Sequence, residues 1–150
     1  MHLACVENND PISPVTLERI GAQVAKLDAT LETVENSGLA YINNVPFQFH
    51  FTSGNKFLSI RAVWESGMEL DAPQVPNLFT AADSWNREKY FPTVYLVAVD
   101  GQMQVVADFI VAIGEGLDDA QLLENISAAA ATAVEALQFM AQVVATLKNL

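Results

Sequence analysis

From Leu17 onward, apolar residues return every three or four positions: Leu17, Ile20, Val24 and Leu27. That spacing predicts an amphipathic helix, and Ser13-Pro14 just before it supplies an N-cap and a first-turn proline. A link rich in Thr, Glu and Asn follows, and then the period changes to two. "GLAYIN" and "VPFQFHF" flank Asn43-Asn44, a pair that tolerates the positive φ of a tight hairpin. Val45, Phe47, Phe49 and Phe51 alternate with Pro46, Gln48 and His50, one apolar face against one mixed face. After "SGN", Leu58, Ile60, Ala62 and Trp64 alternate with Ser59, Arg61 and Val63. These runs predict a three-stranded antiparallel meander. "SGMELDAPQVP" reads as a loop.

The helical period returns over about Val75 to Lys89, with Val75, Leu78, Ala82 and Trp85 on one stripe. Phe91-Pro92 ends it. "TVYLVAV" and "MQVVADFIVAI" flank Asp100-Gly101, a two-residue turn signal, and predict a second hairpin. Asp118 with Gln121 three residues on makes a capping box, with Leu117 and Leu122 placed as a hydrophobic staple. No Gly or Pro follows, so a helix of about 30 residues, ~45 Å long at 1.5 Å per residue, is expected. Acids in its first turn and Lys148 in its last suit the macrodipole. Ile126, Ala133, Met140 and Leu147 recur every seventh position, flanked by Ala129, Ala130, Leu137 and Val144. One small sheet should not cover so wide a stripe, which predicts a second subunit. The expected fold is α+β, an antiparallel sheet with helices in the order α-βββ-α-ββ-α. Residues 1–12 read as a flexible tail and 13–150 as a single domain.

Composition narrows the function. The chain has 150 residues, 51% of them hydrophobic, enough for one core without metals or disulfides. It carries 18 acids against 7 bases, net -11. The bases, Arg19, Lys26, Lys56, Arg61, Arg87, Lys89 and Lys148, are scattered. Phosphate backbones and anionic lipid surfaces both demand clustered cations, so nucleic acid and membrane are not expected partners. Glu135 lies inside the Ala-rich last helix, where lipid would make a charge costly, so that helix reads as buried in protein. One cysteine, Cys5, and an N-terminus with neither a basic nor an apolar signal region point to a cytoplasmic chain.

Candidate chemistry is sparse. "GEGLDD" places Gly114 and Gly116 before a helix like a dinucleotide fingerprint, but Asp119 stands where the third glycine belongs and would repel a pyrophosphate. His2 and His50 are far apart, and no ligand cluster spaced for a metal accompanies them. Asp108, inside "VVADFIV", is costly if buried alone and so reads as solvent-facing or at an edge. No catalytic, cofactor-binding or metal-binding residue is assigned. The aromatic residues Phe47, Phe49, Phe51, Phe57, Trp64 and Phe109 read mostly as core.

"SIRAVW" (Ser59–Trp64), "AADSWN" (Ala81–Asn86), "FPTVYLVAVDGQMQVVADFIVAIG" (Phe91–Gly114) and "LDDAQLLENI" (Leu117–Ile126) together resemble the YbjN family, over about residues 14 to 145. That family comprises small bacterial proteins described as sensory-transduction regulators. The resemblance implies a fold like that of type III secretion chaperones, acidic homodimers that hold extended client segments. It carries over no catalytic residue. The leading expectation is a non-enzymatic dimeric interaction module, chaperone-like or regulatory, that binds a protein segment. Its candidate partner or dimer surface is Leu137, Met140, Val144, Phe49 and Trp64. The alternative is a small-ligand binder or enzyme with a pocket between sheet and helices holding Asp108, Glu65 or His50. These two diverge on whether Asp108 and His50 converge in one cavity.

Overall fold

Two turns set the sheet. Asn43 and Asn44 (φ 53 and 67) and Asp100 and Gly101 (φ 51 and 78) adopt positive φ at both central positions, as two-residue hairpin turns require. The structure, a computed structural model, describes residues 11–150. Its elements are α1 (Leu17–Ala25), β1 (Glu32–Val34), β2 (Ser37–Ile42), β3 (Val45–Thr52), β4 (Phe57–Glu69), α2 (Val75–Glu88), β5 (Thr93–Val99), β6 (Gln102–Ala112) and α3 (Asp119–Lys148). The strands form one six-stranded antiparallel sheet in the order β1-β2-β3-β4-β6-β5. The α+β class and the predicted order hold, with one short strand, β1, added in the Thr- and Glu-rich link. All three β1 residues are exposed, so no buried alternation marks them.

Phe47, Phe49, Leu58, Ile60, Ala62, Val94, Val105, Ala107 and Phe109 are buried on one face of the sheet. The helices lie on that face: α3 against β4 and β6, α1 against β2, α2 against β5, with α1 and α2 both touching α3. Among the described residues, the opposite face carries no helix. The seven-residue repeat of α3, Ile126, Ala133, Met140 and Leu147, is entirely buried, as are Ala129, Ala130 and Val144. The wide stripe is therefore covered within a single chain, by the sheet beneath and by α1 and α2 alongside. The expectation that it needs a second subunit is corrected on that point. α3 is long and apolar enough to cross a membrane by length and composition, but here those nine buried positions, Leu122 and Ala136 included, belong to the core.

The capping box is present: Gln121 N–H donates to Asp118 Oδ1 at 2.7 Å, and Asp118 N–H donates to Gln121 Oε1 at 2.9 Å. The start of α1 differs from expectation. Thr16, not Ser13, is the N-cap, accepting from Arg19 N–H at 3.2 Å. Ser13 instead forms an antiparallel bridge with Leu117. Arg19 secures that bridge, donating to the carbonyls of Ser13 and Leu117 and pairing with Asp119 at 2.9 Å. Gly116 (φ +84) passes so close that a Cβ there would meet the Ser13 carbonyl oxygen at 2.6 Å. β4 also runs further than expected. A bulge between Glu65 and Met68 lets "SGME" continue the strand, where a loop was predicted. His2, Cys5 and most of the expected tail lie outside the described residues.

Candidate functional site

The stretch "SWNREKYFP" resolves into structural roles. Trp85 is buried, its indole N–H donating to the Pro92 carbonyl at 2.9 Å, its ring 5.7 Å from that of Phe139. The Asn86 carboxamide makes two bonds to one residue of β5, donating to Val94 O and accepting from Val94 N–H, both at 2.8 Å. Asn86 thus satisfies both backbone groups of a residue on the outer edge of the sheet, as a neighbouring strand would. Lys89 lies over the Trp85 ring at 5.6 Å. The segment fastens α2 to the edge strand, leaving Tyr90 fully exposed.

The predicted partner surface divides in two. Phe49 and Met140 are 0% exposed and Val144 is 3% exposed. These three belong to the core, because Phe49 shares the apolar face of β3 and the two helix positions point straight at the sheet. Trp64 and Leu137 are only half-buried, and they do meet. They line one groove of about 340 Å³ between the start of β3, the middle of β4 and the side of α3. Val45, Pro46, Val63, Val134 and Ala141 complete its apolar wall, with Asn44 and Gln138 as polar rim.

Of the alternative's residues, Asp108, His50 and Glu65 all point from the helix-free face. Asp108 is half-buried and held by hydroxyls: Ser59 donates to Oδ1 at 2.5 Å and Tyr95 to Oδ2 at 3.3 Å. His50 is exposed, with Nδ1 3.5 Å from Ser37 Oγ. The two do not converge. His50 is the cross-strand partner of Ser59, Asp108 that of Arg61, and β4 runs between them. His50 lines a concavity of about 250 Å³ with Glu32, Ser37, Leu39, Gln48 and Arg61, to which neither Asp108 nor Glu65 contributes. Arg61, Gln48 and Ser37 are the residues that sequence reasoning passed over. Alternation placed Arg61 opposite the apolar face of its strand, but only the register shows what it stands beside. Among the described residues, no group of three or more His, Cys, Asp or Glu is placed to hold a metal ion.

Comparison with known proteins agrees with this architecture. The family model YbjN, "Putative bacterial sensory transduction regulator", matches residues 16–141. The crystal structure of YbjN from E. coli, there called a putative transcription regulator, superposes with a TM-score of 0.67 at 10% sequence identity. The alignment covers 91% of this chain and 97% of that one. At that identity the likeness establishes the fold. No curated protein matches the chain. With the family match spanning most of the domain, the conclusion is that this chain belongs to the YbjN family.

Proposed function

We propose that this protein is a non-enzymatic, dimeric interaction module of the bacterial cytoplasm, chaperone-like or regulatory, that holds a segment of a protein partner. The family's description as a regulator supports a regulatory or interaction role. The observation that carries the reading is the meeting of Trp64 and Leu137 in one groove. Large apolar side chains half-exposed in a concave wall are the usual anchor points for a partner's apolar residues. A polar rim at Asn44 and Gln138 suits a wet boundary around such an anchor.

The dimer has a different basis from the one first expected. Burial of the α3 stripe removes the helix as its source. The helix-free face instead exposes Val97, Val99 and Ile110, on β5 and β6, in a chain whose net charge is -11. Val97 and Val99 are alternate residues of the edge strand β5, opposite Gln104 and Gln102, while Ile110 lies at the other end of β6 beyond Asp108. The apolar pair on β5 is where two such acidic copies meet with least repulsion. Affinity capture from the native host tests the partner, with wild type compared against Trp64→Ala. Proteins retained by wild type and lost by the variant, with its melting midpoint checked, support the reading; identical captures contradict it. Sedimentation equilibrium tests the dimer separately, and a monomer of 16.3 kDa at high micromolar concentration contradicts it.

A further inference from the structure

Arg61 and Asp108 stand directly opposite each other across β4 and β6, yet they do not pair. Asp108 turns to Ser59 and Tyr95. Arg61 turns the other way, its Nε donating to Gln48 Oε1 at 3.2 Å on β3. The only ion pair among the described residues joins Arg19 to Asp119. Arg61 is therefore half-buried in a wall of the β1–β4 concavity, with its two terminal amino groups bonded to no protein acceptor among the described residues. In a chain with 18 acids and 7 bases, a guanidinium left without a carboxylate is a fork awaiting one.

We propose that this concavity binds a small carboxylate carrying an apolar body. Arg61 takes the carboxylate through its terminal amino groups, oriented by the Gln48 bond behind it. His50 stands diagonally across the strand pair from Arg61, which places it ~7–8 Å away and able to hydrogen-bond the same anion from the other side. Leu39, the cross-strand partner of Gln48, forms an apolar floor for the ligand's body. Glu32 also lines the cavity, but it lies three strands from Arg61, ~14 Å by strand spacing, and is exposed to solvent, so it borders the ligand's far end. A volume of about 250 Å³ is below the usual range for drug-sized ligands and fits a compact acid. The same chemistry is offered by a free metabolite acid or by the carboxyl end of a peptide chain. This site is distinct from the Trp64–Leu137 groove and stands without it.

The test is ¹⁵N–¹H NMR titration of the full chain with phenylacetate as a free acid, N-acetylleucine as a chain-end mimic and phenylacetamide as the uncharged control. Saturable shifts of Leu39, Gln48 and His50 amides are expected with the acids and not with the amide. Arg61→Gln should weaken binding about tenfold or more, as loss of a charge-assisted fork requires, with its spectrum otherwise native. Arg61→Lys, which keeps the charge but not the fork, should fall between. Tighter binding of phenylacetate assigns the site to free acids, and tighter binding of N-acetylleucine assigns it to chain ends; either supports the proposal. Equal shifts from acid and amide, no saturable shift with either acid, or unchanged affinity in both Arg61 variants would overturn it.

Discussion

The two faces of the sheet are built from the same strands and do opposite work. On the helix-covered face, Phe47, Phe49, Leu58 and Ile60 are sealed beneath the helices, and the buried positions there are apolar apart from Gln23 of α1 and Ser66 at the β4 bulge. On the bare face, one ladder runs Thr93, Asp108, Arg61, Gln48, Leu39 across five strands, mixing charge, amide and alkyl groups. Period-two alternation assigns both faces at once, because neighbouring side chains point opposite ways. The covered face spends its residues on stability. The bare face spends none of its charged residues on an ion pair within the sheet, leaving Arg61 and His50 directed outward. A single-residue step along each strand thus separates the core from these outward-facing polar groups, while the Trp64–Leu137 groove opens at the margin of the covered face.

This separation makes ordered predictions. Phe49→Ala, on the covered face, should cost about 3–5 kcal/mol as a large core cavity, read as a large drop in the urea midpoint. Asn86→Ala strips both partners from Val94, itself 1% exposed, and should cost about 1–3 kcal/mol. Native-state hydrogen exchange should show that loss at β5 first. Asp118→Ala removes the α3 N-cap, and a thermal melt should show about 1 kcal/mol of destabilisation. Val97→Thr, on the bare face, should change stability by less than about 0.5 kcal/mol while weakening dimerisation in sedimentation. An effect of Val97→Thr on folding as large as that of Phe49→Ala would erase the distinction between the faces.

Much of the fold was legible in the sequence because its signals are local. The Asp118–Gln121 capping box, the Asn43-Asn44 and Asp100-Gly101 turns and the seven-residue repeat of α3 each depend on residues within a turn or two of one another. β1 was not legible, since three exposed residues carry no periodic signature. Nor was the cover over α3, because the placement of α1 and α2 against it is a tertiary matter. The candidate site divides the same way. Trp64 and Leu137 were named as surface residues, but their meeting in one groove depends on how α3 crosses the sheet. Phe49, Met140 and Val144 were named beside them and proved buried, since periodicity shows which residues share a face and not whether that face is covered. Arg61 gained meaning only from register, which put Asp108 beside it and Gln48 in its reach. Nothing in the periodicity of α2 shows what Asn86 binds, because its partner, Val94, is set by how α2 lies along β5.

Leu137 and Met140 lie three residues apart on α3, one in the groove and one in the core, and comparing their alanine variants tests the account most directly. Denaturation and affinity capture would be measured on both. Met140→Ala is predicted to lose about 2–5 kcal/mol of stability. Leu137→Ala is predicted to melt near wild type, about 1 kcal/mol lower at most because its side chain is half exposed, and to lose the partner that wild type retains. A Leu137→Ala protein that captures the same partner undiminished, or that unfolds as readily as Met140→Ala, would contradict the assignment of the groove to recognition.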